Sequence, residues 1–282
     1  MHDLNWSKVD KIILEALAED IGSGDITTAS VTENLPVCTA KIVSKTNGIL
    51  SGLKIVERAF SLHDKHIHLD RLAEEGENIT PGQILMTING PGKTILAVER
   101  TALNLLGRSS GIASLTNKYV KAVAGTHAII LDTRKTAPLL RELDKYSVRA
   151  GCGQNHRTGL YDMILIKENH VRFAGGIEPA LKNAIRYRDD QAPDIKIEIE
   201  VTNLDELEIA CSFKVDRIML DNFSLPDLSA AVAQINGAIE LEASGGVTLN
   251  SVAEIAATGV DFISVGALTH SVENADFSLL FE

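Results

Sequence analysis

From about residue 126 the chain alternates between short β-rich runs and helical stretches, and this rhythm restricts its architecture more than any other feature. The runs are HAIILDT, DMILIKEN, IKIEIEV, DRIMLDN, AIELEAS and DFISVGA. Between them lie PLLRELDKYSVRAG, EPALKNAIRYRDD, LDELEIACSF, LPDLSAAVAQING and TLNSVAEIAATG, whose apolar residues recur at three- and four-residue spacing. Gly237 and Gly259 stand where two of these helices should stop. Strands that alternate with helices pair in parallel through right-handed crossovers, giving either an open doubly wound sheet or a closed barrel. No GxGxxG follows the first strand, which disfavours a dinucleotide-binding sheet. Polar residues instead close nearly every strand: Asp132, Lys167, Glu200, Asp221, Ser244 and Gly266. Groups from so many strand ends meet in one place only when the sheet closes, so the pattern predicts a parallel α/β barrel, TIM-like, of six or seven strands.

The first hundred residues read differently. Residues 7–20 and 52–62 are helical in pattern, while TAKIVSKTNGILSG and HIHLDRLAEEGENITPGQILMTING read as strands with turns at Asn47–Gly48, Gly76 and Pro81–Gly82. This predicts an N-terminal α+β sandwich domain over residues 1–110 and a catalytic barrel over 111–270, with the tail 271–282 packing on the first domain. The boundary falls within the long helical stretch LAVERTALNLLGRSSGIASLTNKYVKAVAG. A length of 282 residues suits two such domains. Hydrophobic residues at 45% and charged residues at 23% exclude a disordered chain. No run approaches the roughly 18 apolar residues of a membrane helix, and the acidic, amphipathic first twenty residues are unlike a secretory signal. A net charge of −11 argues against a general nucleic-acid or anionic-membrane binder. Cys38, Cys152 and Cys211 form no CxxC pair, so neither a disulfide framework nor a zinc site is indicated and a cytoplasmic location is expected.

Two local patterns tempt and carry little. NGPGKT (89–94) resembles the tail of a phosphate-binding P-loop, but the glycine required five residues before Gly92 is Thr87, so a hairpin turn after the MTI strand is expected. His63, His66 and His68 form an HxxHxH cluster with no further ligand nearby, which a wet helix-to-strand turn explains.

The stretch DTRKTAPLLRELDKYSVRAGCGQNHRTGLYDMILIKENH (132–170) is different. It places Arg134 and Lys135 just past one strand, His156 and Arg157 in a glycine-rich loop, and Lys167 at the end of the next strand. These cations could be surface charges pairing with Glu142, Asp144 and Asp162. As a set at strand ends, however, they repel one another unless an anion compensates them. Arginine forks and lysine point charges suit a small ligand with more than one carboxylate or phosphate. Glu200 and Asp221 supply carboxylates able to hold Mg²⁺ or meet sugar hydroxyls. ASGGV (243–247) and VGALTH (265–270) offer glycine-exposed backbone N–H groups suited to a phosphate at the late strands of a barrel. The layout is that of a phosphate-sugar transferase. Lys167 as a Schiff-base lysine in an aldolase-like barrel and a non-catalytic ligand-binding barrel are the rival readings.

Across essentially its whole length the sequence closely resembles the nicotinate-nucleotide pyrophosphorylase (carboxylating), or quinolinate phosphoribosyltransferase, family. The resemblance is carried by EDIGSGDITT (19–28), AVERTALN (97–104), DTRKT (132–136), GCGQNHRTGLYDMILIKENH (151–170), EIEV (198–201), MLDN (219–222), EASGGV (242–247) and VGALTH (265–270). It implies transfer of phosphoribosyl from phosphoribosyl pyrophosphate to quinolinate with loss of CO₂, using Mg²⁺, in NAD biosynthesis. A paralogue acting on another heterocyclic acid is the nearest alternative. It also implies a homodimer with shared active sites, sometimes built into a hexamer. By the same resemblance Arg134, His156, Arg157 and Lys167 bind quinolinate, and Arg100 reaches the other subunit's site. Thr133 and Lys135 supply the neighbouring DTRKT contacts, with Lys135 a candidate for the pyrophosphate end. Glu200 and Asp221 lie near ribose and metal, and Ser244, Gly245, Gly246, Val265, Gly266 and Ala267 form the phosphate-binding turns. Lys135, Lys167, Glu200 and Asp221 are the catalytic candidates.

Overall fold

The computed structural model describes residues 4–31 and 36–282; the first three residues of the amphipathic start lie outside this range. The chain begins with α1 (Trp6–Ile21), α2 (Ile26–Val31), β1 (Val37–Ser44), β2 (Gly48–Ile49), α3 (Leu53–His63), β3 (His68–Arg71), β4 (Asn78–Ile79), β5 (Ile84–Pro91) and α4 (Gly92–Ala122). It continues with β6 (Ile129–Leu131), α5 (Arg141–Ala150), β7 (Ile164–Ile166), α6 (Glu168–Ala174), α7 (Ile177–Gln191), β8 (Ile197–Val201) and α8 (Leu204–Cys211). Then come β9 (Arg217–Asp221), α9 (Leu225–Ile235), β10 (Glu240–Ser244), α10 (Val252–Ala257), β11 (Phe262–Ser264), α11 (Ala267–His270) and β12 (Phe277–Phe281). These elements form two compact units, neither of them one continuous stretch. The first comprises Met1–Asn117, Thr136–Cys152 and Ala267–Glu282, the second Lys118–Lys135 and Gly153–Gly266. Within α4 the division between these compact units falls between Asn117 and Lys118.

The first unit is built on an antiparallel sheet in the order β12-β1-β5-β3, with β2 and β4 as a separate pair. Helix α1 presents Val9, Ile13 and Leu17, spaced four apart, to a core that includes Ile55, Val56 and Phe60 of α3 and Ile42, Met86 and Ile88 of the sheet. The Asn5 side chain caps α1 by accepting the Lys8 N–H at 3.3 Å. A bidentate pair, Arg108 Nε and Nη2 to the two oxygens of Asp144 at 2.8 Å each, ties α5 to α4, which explains why α5 belongs here. Gly111 lets the C-terminal segment lie against α4: a Cβ there would sit 2.3 Å from the Glu273 carbonyl oxygen. NGPGKT is a strand-to-helix junction and not the expected hairpin. Its first three residues finish β5, and Gly92–Thr94 open α4, where Thr94 Oγ1 donates to Asp64 at 2.9 Å.

The second unit contains a parallel sheet in the order β6-β11-β10-β9-β8-β7. The register separates its two faces. Ile199, Ile218 and Leu241 align on one face, as do Val201, Leu220 and Ala243, and all are buried. Glu198, Arg217 and Glu240 align on the other, as do Glu200, Met219 and Glu242. Alternation of apolar and charged residues thus sends the apolar side chains to the helix layer and the charged ones to the opposite face. No ladder joins the end strands β6 and β7. Residues 153–163 connect these ends instead: Gln154 bridges to Leu131, while the Arg157 guanidinium donates to the Met163 carbonyl at 3.1 Å just ahead of β7. Asn236 and Gly237 adopt left-handed backbone conformations directly after α9, with φ of 46° and 76°. No helix of the described residues is long and apolar enough to cross a membrane.

Candidate active site

The strand ends of the second unit carry two linked groups of side chains. Just beyond β7, Lys167 is the N-cap of α6, its N–H donating to His170 Nδ1 at 2.9 Å, and its ammonium pairs with the Glu200 carboxylate of β8. Asp221 ends β9. Burial pushes its carboxyl above the ordinary value, and the neighbouring Glu200 adds to this; Asn222, Lys167 and Lys135 work in the opposite direction. Asn222, at φ 56°, donates from Nδ2 to Asp221 Oδ2 at 2.8 Å and from its backbone N–H to the Ser244 carbonyl at 2.8 Å. Gly245 must be glycine in this arrangement. Its φ is 96°, and a Cβ would lie 2.2 Å from Asn222 Oδ1. Gly246 follows at φ 60°, leaving the turn after β10 without side-chain cover.

The second group starts at Asp132, fully buried just beyond β6. One carboxylate oxygen accepts the His156 N–H at 2.8 Å and the other the Asn155 side-chain amide at 2.6 Å. Thr133 Oγ1 accepts the Lys135 N–H at 3.0 Å. Asp162 folds the following loop by accepting the Thr158 and Gly159 N–H groups at 2.6 and 3.0 Å. Burial pulls the half-buried Arg157 guanidinium below its ordinary value, and repulsion from Arg134 lowers it further. Two arginines close enough to repel each other concentrate positive charge beside these strand ends.

His156 is buried, with one ring nitrogen hydrogen-bonded and the other beside two carboxylates. Nδ1 accepts the Arg157 N–H at 2.7 Å, while Nε2 lies 3.1 Å from Glu198 Oε2 and 3.5 Å from Glu242 Oε2. These contacts reach from beside β6 to β8 and β10, which shows that the sheet curls and its charged face is the interior. Arg217 completes the cluster, with Nη1 2.9 Å from Glu242 Oε2 and its guanidinium 3.7 Å over the Phe262 ring. Burial works against a charged His156 ring and the two carboxylates work for it, the carboxylates prevailing. A second ring proton, however, would occupy Nδ1 and break the Arg157 bond. In the same cluster burial and the neighbouring Glu198 push Glu242 up to about 7. His156, Glu198 and Glu242 lie close enough together to ligate a metal, and the Arg217 guanidinium already bonds to Glu242 there.

Of the residues singled out in the sequence, Thr133, Arg134, Lys135, Arg157, Lys167, Glu200, Asp221, Ser244, Gly245 and Gly246 all lie at strand ends of the second unit or in the loops beside them. Val265 is buried, its N–H donating to the Leu131 carbonyl at 2.9 Å, and Gly266 follows. Ala267 opens α11, and Arg100 is exposed on α4; both belong to the first unit. The three carboxylates considered as surface partners serve elsewhere: Glu142 accepts the Asn5 N–H, Asp144 holds Arg108 and Asp162 folds its own loop. The sequence reading missed Glu198, Arg217 and Glu242. Their signal was charge on the strands of a parallel sheet, where both faces are normally apolar.

A curled parallel sheet with arginines and lysines facing paired carboxylates and a bare glycine turn defines a transferase of polyanionic substrates. Two family profiles match, described as the N-terminal domain (residues 25–110) and C-terminal domain (residues 112–280) of quinolinate phosphoribosyl transferase. The chain belongs to the quinolinate phosphoribosyltransferase family. It is 40% identical over 277 residues to a probable nicotinate-nucleotide pyrophosphorylase [carboxylating] of Bacillus subtilis, covering 98% of this chain and 94% of the relative. It is 39% identical to the chloroplastic nicotinate-nucleotide pyrophosphorylase [carboxylating] of Arabidopsis thaliana, over 95% of this chain and 81% of the relative. The solved nicotinate-nucleotide pyrophosphorylase of Francisella tularensis superposes with a TM-score of 0.94 at 41% identity, covering 99% of this chain and 98% of that one.

Proposed function

We propose that the protein transfers the phosphoribosyl group of phosphoribosyl pyrophosphate to the ring nitrogen of quinolinate, releasing pyrophosphate and CO₂ and forming nicotinate mononucleotide. The observation that carries this reading is the convergence of Arg134, Arg157 and Lys167 with Glu200, Asp221 and Lys135 around the same strand ends. Quinolinate is a dianion and its co-substrate a polyanion, so binding both requires concentrated positive charge in a chain of net charge −11. Arg134 and Arg157 present forks to one carboxylate, and Lys167 takes the other. His156 serves the site through the Arg157 loop. An ammonium ion-paired to Glu200 is no Schiff-base nucleophile, which disfavours the aldolase-like alternative.

As the bond from the anomeric carbon to pyrophosphate breaks, positive charge grows on the sugar, where Glu200 and Asp221 stabilise it. Lys135, with Thr133 ordering its backbone, neutralises the departing oxygens. The ring nitrogen forms the new bond, and most of the acceleration comes from alignment. The resulting quaternary nitrogen draws in the electron pair left when the adjacent carboxylate departs as CO₂, and the ring carbon then takes a proton. The 5′-phosphate is assigned to the backbone N–H groups of Ser244, Gly245 and Gly246 and of Val265, Gly266 and Ala267.

The mutual proximity of Glu200 and Asp221, which pushes Asp221 up, is the environment a divalent cation relieves, so the residues fit Mg²⁺. Glu200 and Asp221 would hold it directly or through water; bound there, it supplies charge for the pyrophosphate. Arg100, exposed on α4, is assigned to the neighbouring subunit's site in a homodimer, whether or not dimers build a hexamer. A cytoplasmic location suits the free Cys38, Cys152 and Cys211. The test is CO₂ release dependent on both quinolinate and phosphoribosyl pyrophosphate, with nicotinate and nicotinamide as competing acceptors. Equal or better turnover of either competitor overturns the assignment of quinolinate.

A further inference from the structure

Beneath the strand ends lies a set of charges that the transfer reaction does not touch. Glu198 and Glu242 are fully buried and Arg217 nearly so, all on the interior face of the second unit's sheet. Buried ion clusters commonly stabilise a fold no better than apolar side chains of the same volume. Their geometry gives them another role, because all of them bear on the His156 ring or its immediate partners. Nε2 of that ring lies 3.1 Å from Glu198 and 3.5 Å from Glu242, whose carboxylates favour a proton on that side and so leave Nδ1 as an acceptor. Nδ1 is what the Arg157 N–H donates to, at 2.7 Å. Asp132 holds the preceding N–H, that of His156, at 2.8 Å. Two consecutive backbone amides are thereby pinned at the point where the chain crosses between the sheet's end strands.

We propose that Glu198 and Glu242, balanced by Arg217, are positioning residues for the anion site: they orient His156 so that its Nδ1 holds the Arg157 loop in the conformation that aims the guanidinium at a substrate carboxylate. Neither glutamate meets the substrate. The inference rests on the quinolinate reading only for the identity of that carboxylate; the hydrogen-bond chain stands without it.

The test uses Glu198→Leu and Glu198→Gln in the full-length enzyme. Loss of a charge-assisted hydrogen bond predicts that the Leu variant raises the KM for quinolinate about tenfold or more. The KM for phosphoribosyl pyrophosphate should stay within about twofold on the same grounds, because the chain of bonds ends on the Arg157 loop and Thr133 meets it through the Asp132 backbone. Hydrogen exchange of the Arg157–Gly159 amides, measured without substrate, should quicken by about tenfold. The Gln variant retains an acceptor for Nε2–H and should restore both readouts. Should Glu198→Leu fail to fold, the triple variant Glu198→Leu/Arg217→Met/Glu242→Leu removes the charges together and carries the same expectations. Unchanged loop exchange and unchanged quinolinate KM in a folded Leu or triple variant overturn the proposal, as does a Gln variant as impaired as Leu. A parent enzyme that ignores quinolinate but shows the exchange difference overturns the assigned substrate and leaves the positioning role intact.

Discussion

Replacing Lys167 with methionine keeps the aliphatic stem and deletes the ammonium that links the two halves of the site. The lysine side chain is 45% exposed and Glu200 only 12%, so the ammonium is anchored on one side and open to a ligand on the other. Its loss withdraws a charge-assisted hydrogen bond of about 1.5–3 kcal/mol from a bound carboxylate. At about 1.4 kcal/mol per factor of ten, the KM for quinolinate should rise roughly 10- to 150-fold. Asp221, already pushed up by burial and Glu200, also loses one of the cations that offset them, so kcat should fall as well. The fold should not suffer, because a pair exposed on one side contributes only about 0–1 kcal/mol to stability. The measurement is the initial rate of CO₂ release from carboxyl-labelled quinolinate at saturating co-substrate, alongside a thermal melt of each protein. A quinolinate KM within twofold of the parent, with an unchanged melt, removes Lys167 from the site and with it the argument for a shared cationic mouth.

Other consequences are equally open to measurement. Mixing inactive Arg100→Ala and Arg157→Ala chains should regain activity, because one of the two sites in a heterodimer then carries neither lesion; no recovery after verified subunit exchange refutes the shared site. Gly245→Ala forces Asn222 away from Asp221 and strains a backbone at φ 96°, which at about 1–3 kcal/mol should raise the KM for phosphoribosyl pyrophosphate roughly 5- to 150-fold, read in the same assay. Asp144→Ala leaves Arg108 without its bidentate partner and should cost about 3–5 kcal/mol in chemical denaturation. The side-chain hydrogen bonds from Arg58 hold the Asp10 carboxyl below its usual range, so this pair's stabilisation is complete above the ordinary aspartate value of about 3.9 and is lost as pH falls through the lowered one. Asp10→Asn should flatten that acid-side loss in melts recorded against pH.

The barrel was legible because its strands and helices differ in period and because its polar strand-end residues recur at one end of each run. All six strands were found, and Asp132, Lys167, Glu200, Asp221 and Ser244 stand at or beside the C-terminal ends of theirs. What escaped notice was short or three-dimensional. The seven residues of α6 carry too few apolar positions to show a period, and α5 starts only at Arg141, behind Leu139 with its left-handed φ of 65°. NGPGKT reads as a turn from its glycines and proline, yet it joins a strand to a 31-residue helix. IEIEV and ELEAS look like strands with one wet face; only a curled sheet turns that face inwards and makes Glu198 and Glu242 interior residues. His156 reads as a ligand-binding cation from its neighbours, and its bond to the Arg157 N–H and its closeness to Glu198 appear only in three dimensions.

The strand order of the second unit also dictates when the site can exist during synthesis. Strands β7 to β10 pair in the order in which they leave the ribosome, but β6, which leads into Asp132 and the Arg134–Lys135 pair, finds its partner only in β11, with Ile129 opposite Phe262. The first unit waits similarly, its β1 paired with β12 through Ala40 and Phe281. Such distant partners make for slow closure. A nascent chain in which residues 262–264 have not yet emerged therefore holds these arginines and lysines without the strand that pairs β6, and the first unit's sheet waits in the same way for residues 277–281.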